Sequence, residues 1–316
     1  MRIIIKIAKN ELRNLFYSPI AWFLAIIMMV MCAFYYTGAM YPSAKIAALI
    51  YKNNPNFVFW ATESLTEMIY MNLQTGFFAN IMQHLYLFVP LLTMGIINRE
   101  FNSGTIRLLY SSPVKLRNIV LGKYLAIAVY NLILVLFILF FIASGFFDIK
   151  SLDFFPLLSA TLGIYLFLCA LTAIGFFMSS LATYQIVSAI ASFTLLFILS
   201  RIGSLWQDHD FIRDITYFLS ISGRTEKMLV GLIRTKDVMY YLVIIYMFVS
   251  FTLLKLKAGR ETKPWYIKTG KYLAVIVTGL LIGYTCSLPQ FTGYLDATAR
   301  KTNTIHPRTQ EIIREL

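Results

Sequence analysis

The chain has 316 residues, of which 59% are hydrophobic, 16% aromatic and only 14% charged. That balance excludes a soluble globular domain, whose charged share runs to about a quarter, and identifies a polytopic membrane protein. The formal net charge of +13 does not indicate nucleic acid, because the cations are spread over membrane flanks instead of one folded face; anionic lipid headgroups are the partner that they suit.

In chain order, residues 1–19 place Ile3, Ile7, Leu12, Leu15 and Phe16 at helical spacing against Lys6, Lys9, Asn10 and Arg13, with Pro19 as the break. This predicts an amphipathic helix lying in the membrane interface. The apolar run after Pro19 is too long for a cleavable signal peptide. Seven apolar segments follow, at 20–41, 77–97, 119–143, 155–180, 186–201, 238–254 and 272–289, the fifth being the shortest. Each approaches the roughly 20 residues that a helix needs to span a bilayer.

Basic residues cluster in three flanks: Arg2, Lys6, Lys9 and Arg13; Arg99, Arg107, Lys115, Arg117 and Lys123; and Lys255, Lys257, Arg260, Lys263, Lys268 and Lys271. Positive residues resist translocation, so all three are expected on the cytoplasmic side, the N-terminus with them and the C-terminus outside. Between spans five and six, Arg213, Arg224, Lys227, Arg234 and Lys236 are offset by Asp208, Asp210, Asp214, Glu226 and Asp237.

The chemistry of common sites is missing from the sequence. Both Gly-Lys pairs fail as phosphate-binding loops: Arg117 and Trp265 stand where the first glycine is needed, and Tyr124 and Tyr272 follow the lysines. The histidines His84, His209 and His306 are dispersed, and Cys32, Cys169 and Cys286 lie in or beside apolar spans without metal or disulfide spacing. No span holds a central Asp, Glu, Lys or Arg, the residues that ion-coupled carriers place at mid-membrane. An energy source outside this chain is the expectation.

Within the spans, Asn80, Gln83 and His84 fall on one helical face, fitting either a pathway or dimer seam, or simple hydrogen bonding between packed helices. Ser159, Gly163, Ala170, Ala173 and Gly175 in span four, with Ser188 and Ser192 in span five, allow close helix approach.

The segment 99–123 is the most informative. Arg99 and Glu100 close span two, Ser103, Gly104 and Thr105 supply a turn and a hydroxyl able to cap a helix, and 106–111 gives a short helix that Pro113 stops. Leu108, Leu109 and Tyr110 would give that helix an apolar, partly exposed surface. On residue chemistry alone this is either a connecting loop with an interfacial helix or a docking surface.

The pattern Glu100, Ser103-Gly104-Thr105, a leucine-rich turn, Pro113 and Ile119-Val120-Leu121-Gly122-Lys123 resembles the loop between spans two and three of type 2 ABC transporter (ABC-2) permeases. The likeness extends to the N-terminal helix ending in Ser18-Pro19 and to the polar turn Ala182 to Val187. It is nearest to the gliding-motility GldF type, through Gly231-Leu232-Ile233 and Asp237. Many members carry an acid where this chain has Arg107. The tail from Tyr294-Leu295-Asp296 onward resembles the start of GldG-like auxiliary proteins, and is itself too short to bury a core.

The resemblance implies an all-α polytopic fold: an interfacial helix (1–19), a six-span ABC-2 domain (20–257), a basic cytoplasmic linker (258–271), a seventh helix (272–289) and an outer tail (290–316). It further implies a permease–auxiliary fusion lacking its outer domain, in a bacterial inner membrane. In it, Glu100, Gly104, Thr105, Ile106, Arg107, Leu108, Leu109 and Pro113 form the coupling site for a separate ATP-binding subunit. That subunit holds the ATP and Mg, this chain holding no cofactor, and hydrolyses the ATP. A second permease chain, membrane lipids and an extracytoplasmic auxiliary protein are the other partners, with Asn80, Gln83 and His84 at the pathway or seam. Export is the expected activity, and a transport-inactive mechanotransmitter the alternative.

Overall fold

The computed structural model describes residues 1–53, 65–149, 152–204, 216, 220–260, 264–298, 301 and 303–304. Asp208, Asp210, Arg213, Asp214, Lys263 and the tail from 305 onward, all weighed above, lie outside the described residues. The elements run α1 (Arg2–Tyr17), α2 (Pro19–Asn53), a π-helical turn (Glu67–Met71), α3 (Phe77–Thr93), α4 (Asn98–Asn102), α5 (Ile106–Ser111), α6 (Leu116–Asp148), α7 (Phe154–Leu181), α8 (Gln185–Arg201), α9 (Ser222–Leu229), β1 (Leu232–Arg234), α10 (Thr235–Ala258), α11 (Trp265–Ser287) and β2 (Tyr294–Asp296).

Among the described residues, six stretches are long and apolar enough to cross a membrane: Pro19–Ile46, Phe77–Asn102, Leu116–Asp148, Phe154–Leu181, Thr235–Ala258 and Trp265–Ser287. Helix α8 is apolar but has 17 residues, about 26 Å of helix against a hydrocarbon core of about 30 Å. The chain is therefore an all-α polytopic membrane protein, and α8, expected as its fifth span, falls short of the length of the other six.

Proline chemistry sets the first boundary. Ser18 adopts φ −82° and ψ 126° because the following ring disfavours helical geometry, and Pro19 opens α2, where its missing N–H leaves no bond unmade. The face that α1 turns inward is Ile4, Ile7, Ala8, Glu11, Leu12 and Leu15. Ile3, expected on that face, is 49% exposed; Ile4 and Ile7 take the contact, pressed onto α6 at Gly122, where a Cβ would come within 2.7 Å of the Ile7 side chain.

Helix α7 is the axis of the bundle, 78% buried over its most apolar stretch and packed by α3, α6, α8, α9 and α10. Its small residues make this possible. A Cβ on Gly163 would sit 2.8 Å from that of Met228, Gly175 abuts Thr93, and the Ser159 hydroxyl donates to the Met228 carbonyl at 3.1 Å. Ser188 and Ser192 on α8 are fully buried as well. Between α6 and α7, Asn131 donates to Thr172 Oγ1 at 3.0 Å and the Tyr124 hydroxyl to the Cys169 carbonyl at 2.9 Å. These bonds satisfy polar groups that lipid would leave unpaired. Helix α11 differs: it packs on α10 and is only 6% buried.

The two ends of the bundle gather different segments. At one end the Asn98 amide donates to the Ala182 carbonyl at 2.6 Å, bringing the α4 region to the turn before α8, and the Tyr110 hydroxyl lies against Gly259 just past α10. At the other, β1 and β2 pair antiparallel, with Leu232 opposite Asp296 and Arg234 opposite Tyr294. Since β1 leads into α10 and β2 follows α11, the two helices form a hairpin that returns the chain to the end it left.

Candidate functional site

Span two does not run straight into the polar segment. Pro90 removes a backbone donor near the end of α3, helix geometry stops at Thr93, and residues 94–97 form a turn before α4. One side chain from α7 holds that turn: Ser179 Oγ accepts from the amides of Ile97 and Asn98, each at 3.2 Å, and donates to the Met94 carbonyl at 3.2 Å. Backbone groups left open by the break are thus filled by a neighbouring span.

After α4, Gly104 takes φ +71°, a left-handed conformation open to glycine at little cost. The expected hydroxyl cap does not form. Thr105 is already helical (φ −69°, ψ −11°), so its side chain cannot reach the first amides of α5 as an extended cap residue does. Its hydroxyl pairs instead with that of Ser103 at 2.8 Å, and Ser103 donates to the Arg99 carbonyl at 2.8 Å. Ser112, at ψ 142° before Pro113, ends α5.

Helix α5 is anchored on one side and open on the other. Ile106 packs against the core, while Leu109 and Tyr110 are half-buried, and burial pushes the Tyr110 phenol above its ordinary value. Arg107 is exposed, and Leu108 presents 71% of its surface. Past the end of α5, a groove of about 620 Å³ is lined by Ile3, Ile4, Leu121, Pro113 and Val114, with Lys115, Arg117 and Asn118 as its polar members.

The helices on either side of α5 in the chain, α4 and α6, join α1 in an ion cluster. Lys123 Nζ, on a side chain 5% exposed, is 2.8 Å from Glu11 Oε1 of α1 and 2.8 Å from Glu100 Oε1 of α4, and donates to the Ile96 carbonyl at 3.4 Å. One cation with two carboxylates and a carbonyl around it satisfies the ammonium's donors, and fixes α1, α4 and α6 to one another. A small cavity of about 130 Å³, with Gly95, Arg99 and Gln185 among its lining, opens beside it.

The family model described as ABC-2 family transporter protein matches residues 5–288. The chain belongs to the ABC-2 transporter family. No curated protein matches it. As an ABC-2 protein it is a membrane permease subunit of an ABC transporter, not itself catalytic, and membership implies an ATP-binding subunit as partner and a pairing of permease chains. The match extends through α11.

The other residues picked out for this ABC-2 chain, Asn80, Gln83 and His84, stay together on α3 but take different partners. Asn80 turns back on its own helix start, donating to the carbonyls of Thr75 and Gly76, each at 3.0 Å. His84 joins α3 to α2, with Nε2 3.0 Å from the Tyr35 hydroxyl and Nδ1 2.8 Å from the Asn80 carbonyl. Gln83 is exposed, and with His84 it lines a cleft of about 680 Å³ between α3, α8 and α9 that also holds Arg201 and Glu226.

Glu11, Lys123, Ser179 and Asn98 were not singled out as site residues from the sequence. For Glu11 a signal existed: it is the one acid in residues 1–19, four positions from both Ile7 and Leu15 on the inward stripe. For Lys123 it was a cation past the first turn of an apolar helix. Nothing in the pattern linked the two.

Proposed function

We propose that this chain is the GldF-type permease of an ABC exporter in a bacterial inner membrane, driven by a separate ATP-binding subunit that docks on α5 from the cytoplasmic side. One observation carries this reading: a short helix with an exposed leucine, Leu108, joins α4 to α6, and an ion cluster ties those two helices to each other and to α1. ATP and Mg bound in the partner supply the work; closure of two such subunits would shift α5, and α4, the Ser179-held turn and the Lys123 cluster would carry the shift into α3, α6 and α1. Glu100, Gly104, Thr105, Ile106, Arg107, Leu108, Leu109 and Pro113 would form or shape the contact, and Arg107 calls for an acidic or polar facing group. Asn80, Gln83 and His84 would face the pathway or seam, with His84 held to span one and Gln83 open to the cleft.

The N-terminus then lies in the cytoplasm and the segment after α11 outside. The β1–β2 pairing favours a second reading. It pins the start of the outer tail to the permease body, so movement of α10 would pass into whatever follows, as in a GldG-like auxiliary protein. A mechanotransmitter is that reading.

Leu108→Glu separates docking from folding. Since Leu108 is exposed, stability should change by no more than about 0.5 kcal/mol, while an ATP-binding subunit that co-purifies with the native chain in mild detergent should be lost, together with its ATPase activity. Retention of the subunit by a folded L108E chain would refute the docking site.

A further inference from the structure

The mechanism above makes no use of the loosely packed helix α11. It leans on α10 but stands off from α7 and α8, and the gap is a cavity of about 360 Å³ lined by Tyr240, Met247, Gly279, Gly283, Ile174 and Leu199, with Arg224 and Lys236 also in its wall. Its volume falls in the range of small-molecule sites, about 300–1,000 Å³. Two glycines have opposite parts in it. Gly279 lets α11 touch α10, since a Cβ there would come within 2.8 Å of Met247 Sδ, whereas a Cβ on Gly283 would meet nothing within 4 Å.

Cations stand at the end near the membrane surface. Lys236 is the second residue of α10 and forms no ion pair among the described residues. Arg224, Lys227 and Arg234 all act on it electrostatically, against the carboxylate of Asp237. That carboxylate is already held by Arg234 Nε at 2.6 Å and Arg224 Nη1 at 3.3 Å, and the Arg224 guanidinium stacks 4.2 Å from the Tyr240 ring centre. Among the described residues, Lys236 is thus the cation at this rim whose charge no ion pair takes up. From Lys236 to Phe248, both in the wall, the helix rises about 18 Å, close to the depth of one leaflet of a core about 30 Å thick.

We infer that this cleft binds one anionic phospholipid, with its phosphate headgroup at Lys236 and an acyl chain lying between α10 and α11. Charge complementarity selects this occupant over a second protein chain: a cationic rim above an apolar trough about one leaflet deep matches an anionic amphiphile. Lysine is suited to the rim because its stem lies along apolar surface while its ammonium stays at the headgroup level.

The test uses the full chain purified in mild detergent and titrated with dioleoyl phosphatidylglycerol or dioleoyl phosphatidylcholine, bound lipid being counted by native mass spectrometry. The native chain should retain one phosphatidylglycerol with a preference of about fivefold over phosphatidylcholine, the worth of one lysine at an anionic surface. Lys236→Gln should bring that preference close to unity and Lys236→Arg should restore it. Gly283→Phe, whose Cβ meets nothing within 4 Å and whose ring would enter the cavity, should displace the lipid while the thermal transition stays in place. Equal retention of the two lipids, or retention unchanged by Gly283→Phe, would overturn the proposal. So would a disulfide between two copies through Gly283→Cys in a chain lacking Cys32, Cys169 and Cys286, because a protein would then occupy the cleft.

Discussion

Each end of the bundle buries an ion cluster, and the two are charge inversions of one another: Lys123 between Glu11 and Glu100, and Asp237 between Arg224 and Arg234. They differ in reach. Arg224 is 13 residues from Asp237 and Arg234 only 3, and Asp237 sits in the first turn of α10, where an acid also complements the helix dipole. Glu11 and Lys123 are 112 residues apart, and Glu100 belongs to a third helix. A cluster made of sequence neighbours holds the start of its own helix, whereas one drawn from three distant helices lets a push on one be felt by the others.

The sharpest way to break this comparison is to remove the central charge at each end. Asp237→Asn leaves two guanidiniums facing each other where the carboxylate was fully buried, and should cost about 3–5 kcal/mol, the usual penalty for stripping a buried pair of one member. Denaturant unfolding of the detergent-solubilised chain measures it. Molecules that still fold should keep ATPase coupling in the assembled transporter, if this cluster serves only its own helix.

Lys123→Met should cost less, about 2 kcal/mol, below that same range because Glu11 and Glu100 keep 24% and 20% of their side-chain surfaces exposed and can turn to water. Its distinguishing effect is on α1: amide hydrogen exchange across Arg2–Tyr17 should accelerate, and protection there equal to that of the native chain would show that the cluster does not bind the interfacial helix. Gly104→Ala comes next. With φ at +71° the methyl group strains the turn, so stability should fall by about 1 kcal/mol and the affinity for the ATP-binding subunit with it.

The smallest effect belongs to the β1–β2 end. Partial burial alone would raise the Asp296 carboxyl, but hydrogen bonds from Thr298, Thr304 and Asn303 outweigh it and hold the group below its ordinary value. A depressed folded value means that the contribution is fully present above the ordinary carboxylate range and is lost as pH falls through the lower folded value. Strand protection at β1–β2, read by hydrogen exchange, should therefore weaken in acid, and Asp296→Asn should remove that pH dependence.

How much of this was legible varies with distance along the chain. The short helix 106–111, its stop at Pro113 and the turn at Gly104 could all be read from neighbouring residues, because proline and glycine act on the backbone beside them. The Thr105 cap could not: whether a hydroxyl caps a helix depends on the backbone angle of its own residue, and the Ser103 hydroxyl competed for the bond. The polar face at Asn80, Gln83 and His84 was correct as a spacing, yet its members turn to different partners, since Tyr35 and the α3 start were within reach of two of them.

The sequence by itself determined that this is a membrane-spanning helical chain, where its seven apolar helices lie, six of them long enough to cross, and where the polar segment between α3 and α6 lies, because hydrophobic length, proline and glycine act locally. Only the tertiary structure decided which charges meet. Lys123 became the centre of a site, and Glu11 its partner, when the α1 face closed on α6 at Gly122; Asp237 drew in Arg224 when α9 packed on α7 beside α10. Likewise the α10–α11 cleft exists because α11 packs on α10 while Gly283 leaves open space toward the cavity, a trough that no run of apolar residues announces.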